Sequence, residues 1–117
     1  MVIQQGDVLW VSLPALHSSA PAGRRPVVII QHARFNHTRL ATAVVVAVTS
    51  KLKYAALPGN VRLRKGEAGL SRPSVVNVTQ VATVDRAQLG PRLGRLTAAR
   101  LSEVWAGLRL VCEPDES

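Results

Sequence analysis

A single cysteine, Cys112, in 117 residues excludes an internal disulfide framework and any Cys-rich zinc site. Aromatics are scarce at 3%, with two Trp, one Tyr and one Phe. A core must therefore be assembled from Val, Leu, Ile and Ala, which favours strands of β-branched residues. Acids are scarce too, 7 against 15 Lys and Arg, for a net charge of +8. Glu113, Asp115 and Glu116 end the chain, so only Asp7, Glu67, Asp85 and Glu103 offset the cations of the body before Cys112. A body this basic suits a polyanion, either nucleic acid or an acidic protein segment; simple solubility is the plain alternative. No apolar run approaches the roughly 20 residues of a membrane span, and residues 1–12 carry no basic-then-apolar leader pattern. A cytoplasmic protein with no membrane partner is expected.

The length is that of one domain with a real core, expected over residues 1–112 with an acidic tail at 113–117. "GDVLWVSLP", from Gly6, alternates as a strand, with Val8, Trp10 and Ser12 on one face and Leu9, Val11 and Leu13 on the other. Residues 14–24 form a loop of small residues, Pro and Gly, and a second strand begins at Pro26, where a missing N–H is tolerated. Residues 32–40 are a polar connection. "ATAVVVAVTS" is nearly continuous in apolar residues, as a strand buried on both faces should be. "KLKYAALPGN" is a long loop, "VRLRKGEAG" a short strand and residues 74–85 a long one. After a turn near Gly90-Pro91 comes a helix with Thr97 as N-cap, Leu96 stapling onto Leu101, and Leu101, Val104, Trp105 and Leu108 as its apolar stripe. Five or more short strands and one C-terminal helix imply a mainly β, α+β fold built on a small, curved antiparallel sheet or barrel.

The order of motifs is more specific than any one of them. "GDVLWVSL", "GRRPVVIIQ", "VVVAVTSKL", "LPGNVRL", "GEAGLSRPSVVNVTQVATVD" and "LGRLTAARLSEVWAGLRL" together resemble the MazF/PemK family of toxin endoribonucleases along nearly the whole chain. The resemblance implies an SH3-like small barrel of the type shared with CcdB, assembled as a homodimer. It implies cleavage of single-stranded RNA at short sequences without metal or cofactor, and a cognate antitoxin whose acidic, disordered C-terminal segment occupies the RNA channel. Operator DNA is then bound only through the antitoxin complex.

Metal-free cleavage requires the RNA's own 2′-OH to attack the adjacent phosphorus, leaving a 2′,3′-cyclic phosphate and a 5′-OH. The protein supplies proton transfer and stabilises charge on the phosphorane. A guanidinium, with forked donors that stay protonated, suits the second task. Arg25 matches the arginine that the family keeps before the proline of this strand, and Thr49 matches the threonine ending its third strand; these are the expected catalytic pair. Without the family, Arg25 reads as a surface arginine at a strand start and Thr49 as a hydroxyl satisfying a strand end. Arg24, in a variable position, is assigned to phosphate steering. Ser50 follows Thr49 as an expected RNA contact, Lys51 and Lys53 lie in the loop that borders the RNA path of relatives, and Arg62, Arg64, Lys65 and Arg72 thicken the basic surface. Asn77 and Gln80 match the substrate-binding strand, where amides read base edges, with a buried, satisfied amide as the alternative. Strict alternation puts these two on opposite faces, so either one alone contacts RNA or a bulge intervenes.

Two positions depart from the family. The first long loop reads Ser18-Ser19-Ala20 where many relatives carry an acid, leaving Ser19 as the RNA-contacting hydroxyl, and Thr79 also stands where an acid is frequent. His17 does not coincide with the family's position, and His32 and His37 lie in a loop without other ligands, so no metal site is expected. The two tryptophans look like core, leaving Tyr54 as the exposed stacking candidate. The competing readings are a non-cleaving module of the same barrel that grips RNA or an acidic peptide, and a CcdB-like topoisomerase poison, against which the Arg-Pro motif and Thr49 argue.

Overall fold

Alternation and β-branching set the sheet. In the computed structural model, which describes residues 2–13 and 23–115, six strands form one antiparallel sheet: β1 (Asp7–Leu13), β2 (Gly23–Ile29), β3 (Thr42–Thr49), β4 (Val61–Leu63), β5 (Ser74–Asp85) and β6 (Leu89–Arg95). Their order across the sheet is β4-β5-β3-β2-β1-β6. This is the small, curved antiparallel sheet with a C-terminal helix that the sequence implies. β3 is central, paired with β2 on one edge and β5 on the other, which explains its run of valines.

Both faces of the sheet are covered. Val8, Val28, Val46, Val48, Val76 and Val78 pack with Leu96, Val104 and Leu108, while Leu9, Val11, Val27, Ile29 and Val45 form a second cluster with Ile3, Val84 and Leu89 on the opposite side. The helix α2 (Ala98–Cys112) has Thr97 as N-cap, its side chain accepting from the Arg100 N–H. Its buried face carries Val104 and Leu108, with Trp105 partly buried against the same cluster.

Several elements differ from the sequence expectation. β2 starts at Gly23 rather than Pro26, so both arginines lie inside the strand. The turn at Gly90-Pro91 is instead β6, an edge strand in which Pro costs little. Two register shifts interrupt its pairing with β1, and Asp7, 1% exposed, ties it down by accepting from Arg95 at 3.0 Å and Arg92 at 3.5 Å. The polar connection contains a short helix, α1 (Ala33–Asn36), and the "KLKYAA" loop is a 3-10 helix over Leu52–Ala56. β4 ends at Leu63 because the chain turns into a 3-10 segment, Glu67–Gly69.

That segment closes the barrel. β4 and β6 are not paired, and the residues after Gly66 fill the seam between them. Gly94 lies so close to Ala68 that an added Cβ would stand 2.5 Å from the Ala68 carbonyl carbon, and Gly69, at φ +76°, is pressed equally onto Leu93. Only glycine permits both the approach and the left-handed backbone. A bidentate pair secures the segment to the helix: Arg100 Nη2 donates to Glu67 Oε1 at 2.8 Å and Arg100 Nε to Glu67 Oε2 at 2.9 Å. The Arg100 guanidinium holds the Glu67 carboxyl below the usual carboxylate range, the Arg64 backbone N–H adding to the effect.

Candidate functional site

β2 and β3 pair only over Val27–Ile29 against Val45–Ala47. Beyond that point β2 continues along β1 to Gly23 and β3 continues along β5 to Thr49, so the sheet forks. Pro26 accounts for the fork. The Ile30 N–H donates to the Val44 carbonyl at 3.1 Å, and by alternation residues 28 and 26 turn the same edge toward β3. At position 26 there is no N–H to give, and the ladder stops one rung short of Val48.

A cleft of about 680 Å³ occupies the fork, with Arg24, Arg25, Thr49, Ser50 and Lys51 all on its lining. Val27 faces Ala47 as the last pair before the strands part; Arg25 and Thr49 each stand two residues beyond it, and both line the cleft. Arg25 is half-buried, whereas Arg24, Ser50 and Lys51 are exposed. The Thr49 hydroxyl accepts from the Lys51 N–H at 3.2 Å, which shapes the chain's exit from the strand and leaves the hydroxyl proton free to donate. Arg24, on the other face of β2, lies over the Trp10 ring at 5.1 Å from its centroid, a contact that aligns the guanidinium.

Trp10, Arg72 and Ser74 join the cleft without having been expected there. Trp10 is half-buried on the lining rather than core. Arg72 reaches the cleft from the seam segment, its backbone carbonyl accepting from the Ser74 hydroxyl at 2.9 Å; Ser74 lines the same wall. A signal for Arg72 was present, since Arg72-Pro73 repeats the Arg-Pro pair of residues 25 and 26. Four cations thus meet on the lining with no carboxylate, and residues 14–22 contain no acid either. Asp7, Glu67 and Glu103, which pair with Arg92, Arg95 and Arg100, all lie off the cleft lining.

Other expected contacts are not gathered there. Lys53 lies on the following 3-10 helix with its ammonium 5.4 Å from the Tyr54 ring centroid, and Tyr54 is half-buried rather than exposed. Asn77 is engaged in structure: its Oδ1 accepts from Asn60 Nδ2 and Thr79 Oγ1, both at 3.2 Å, while Asn60 also binds Tyr54 O and Val78 N. Gln80 is exposed, and neither amide lines the cleft. Between Val46↔Val81 and Val48↔Val76 the register shifts, so strict alternation fails between Asn77 and Gln80, as the bulge alternative requires. Ser19, like His17, lies outside the described residues. No group of three or more His, Cys, Asp or Glu among the described residues could hold a metal ion, and no helix among them is long and apolar enough to cross a membrane.

Residues 4–112 match the family model described as PemK-like, MazF-like toxin of type II toxin-antitoxin system. The chain is 42% identical over 113 residues to the endoribonuclease MazF6 of Mycobacterium tuberculosis, covering 97% of this chain and 99% of that one. It is 30% identical over 110 residues to the endoribonuclease EndoA of Bacillus subtilis, covering 94% of each. A mycobacterial endoribonuclease solved in complex with its cognate antitoxin superposes with a TM-score of 0.74, at 20% identity over 99% of this chain and 98% of that one; at this identity the likeness speaks for the fold. With the family model spanning nearly all of the chain, the protein belongs to the PemK-like, MazF-like toxins of type II toxin–antitoxin systems.

Proposed function

We propose that the protein is the endoribonuclease of its toxin–antitoxin pair and that it cuts single-stranded RNA in the forked cleft, at short recognised sequences, so blocking translation. The observation that carries this reading is that Arg25 and Thr49 line one cleft together with Arg24, Lys51 and Arg72 and no carboxylate. The 2′-oxygen bonds to phosphorus, its proton passing to solvent water, as the bond from phosphorus to the 5′-oxygen breaks and that oxygen takes up a proton, which solvent then replaces on the donor. The Arg25 guanidinium hydrogen-bonds the equatorial oxygens of the phosphorane and is placed to donate to the leaving oxygen. The Thr49 hydroxyl, its acceptor side already engaged by Lys51, donates to the same phosphate. With no acid in the cleft, electrostatic stabilisation rather than a carboxylate base supplies the acceleration.

Arg24, Ser50, Lys51, Lys53 and Arg72 attract and track the backbone, Ser19 adds a hydroxyl, and Gln80 reads a base. Asn77 serves the RNA site indirectly, through the strand it braces. The working unit is a homodimer of the domain at 1–112, without metal or cofactor. An acidic, disordered antitoxin segment competes for the cleft cations, and operator DNA is contacted through the antitoxin.

The test compares wild type with Arg25→Ala on mixed-sequence single-stranded RNA in EDTA. Wild type leaves cyclic phosphate and 5′-OH ends; Arg25→Ala cuts about 10²- to 10³-fold more slowly while largely keeping RNA affinity. Tight RNA binding by wild type with no cleavage of any sequence would instead make the protein a non-cleaving RNA module.

A further inference from the structure

Residues 31–41, QHARFNHTRLA, join β2 to β3 at the end of the hairpin away from the cleft. They contain two arginines, two histidines and no acid. The connection is firmly built. Gln31 and Asn36, 7% and 5% exposed, lock together through Gln31 Nε2 to Asn36 Oδ1 at 3.0 Å and Asn36 Nδ2 to Gln31 O at 2.7 Å. Gln31 extends the lock to β3, accepting from the Val44 N–H at 3.2 Å. Arg86, fifty residues further along the chain, donates to the carbonyls of Asn36 and Phe35, each at 2.9 Å, satisfying the end of α1. His32 Nδ1 caps its start by accepting from the Arg34 N–H at 3.0 Å.

What this mount holds outward is Phe35, the chain's one phenylalanine, 54% exposed, with Leu40 43% exposed nearby in the same turn. The mount thus presents the ring to solvent at a fixed place, where its face is open to a stacking partner. His32, Arg34, His37 and Arg39 of the same connection are all exposed. The carboxylates that the topology brings to this end are engaged: Asp7 is ion-paired with Arg92 and Arg95, and Asp85, opposite Thr42, caps the turn that follows β5. Two copies of so basic a face repel each other, which argues against self-association here. An exposed ring in a turn that also carries two exposed arginines and no acid suits single-stranded RNA, whose unstacked bases take aromatic partners and whose phosphates take cations.

We propose that the α1 turn is an accessory site for single-stranded RNA, in which Phe35 stacks on a base and Arg34 and Arg39 contact the flanking phosphates. The proposal rests on the ribonuclease reading of the cleft. From Arg25 to Gln31 the extended chain spans about 20 Å, so only a substrate running several nucleotides past the cut reaches both places.

The experiment uses two RNAs sharing one cleavable sequence, one just long enough to fill the cleft and one extended on each side by about ten nucleotides. Both are made non-cleavable by a 2′-deoxy nucleotide at the cut, and Kd is read by fluorescence anisotropy. Phe35→Ala should weaken the extended RNA about tenfold, leave the short RNA unchanged, and leave cleavage of the unmodified short RNA at the wild-type rate. Phe35→Trp should restore the extended-RNA affinity. Equal affinities of wild type and Phe35→Ala for the extended RNA overturn the site. So does a change of oligomeric state on Phe35→Ala in sedimentation, which would make the patch a protein interface. Failure of the ribonuclease reading shows separately, as no cleavage of either unmodified RNA by wild type.

Discussion

Replacing Pro26 by alanine tests the origin of the cleft. The substitution restores an N–H on the edge of β2 that faces β3, one rung beyond the Val28↔Val46 pair, with the Val48 carbonyl as the next acceptor in the ladder. A new backbone hydrogen bond is worth about 1 kcal/mol net. Losing proline's restriction of the unfolded chain costs about 0.4–1 kcal/mol. The two nearly cancel, so the denaturation midpoint should move little. Function should not be spared, because the fork must now be opened against that bond before RNA can enter. About 1 kcal/mol corresponds to roughly a fivefold smaller open population, and kcat/KM should fall by that factor. Hydrogen exchange supplies the structural readout: the new amide at position 26 should be protected, and its protection should drop when a non-cleavable RNA is bound. A freely exchanging amide at 26 together with wild-type cleavage would refute the account of Pro26 as the residue that opens the fork.

Gly94→Ala places a Cβ 2.5 Å from the Ala68 backbone without requiring a left-handed conformation, so it isolates the crowding at the barrel seam. It should cost about 2–3 kcal/mol, a fall in Tm of roughly 10 °C, seen by calorimetry; an unchanged Tm would mean that the seam is not packed as described. Glu67→Gln should cost about 1 kcal/mol at neutral pH, the side chains of Arg100 and Glu67 being 25% and 23% exposed. Because the Glu67 pKa is lowered on folding, that stability is present above the ordinary carboxylate range and is lost as pH falls through the depressed value. Urea titrations of the two proteins should therefore converge in acid, and a difference that persists there would show that the carboxylate's charge is not what holds the segment.

Much of the fold was legible because its signals are local. The bounds of β5 as read, 74–85, are those observed, since a long β-branched stretch between turn signals says where it begins and ends. Thr97 announced its helix by hydroxyl and spacing. β6 was hidden because Gly90, Pro91 and Gly94 are turn residues in most settings, and only pairing with β1 and the ion pairs to Asp7 make them a strand. Trp10 read as core for the same kind of reason, its position on the cleft lining depending on where β2 and β3 separate. Phe35 gave no signal, since its exposure depends on a lock between Gln31 and Asn36 and on Arg86 fifty residues away.

By itself the sequence determined the mainly β class, the C-terminal helix, the strongly cationic balance, and the Arg25-Pro26 pair at the head of a buried strand. Tertiary structure alone decided that this proline ends a ladder and opens a cleft, that Thr49 and Arg25 share its lining, and that Arg72 arrives from the seam. Periodicity, capping and charge are properties of neighbouring residues and survive in a one-dimensional reading. Register and close approach are relations between distant segments, settled only when the whole sheet curls and each backbone group has found its partner or, at Pro26, has none to offer.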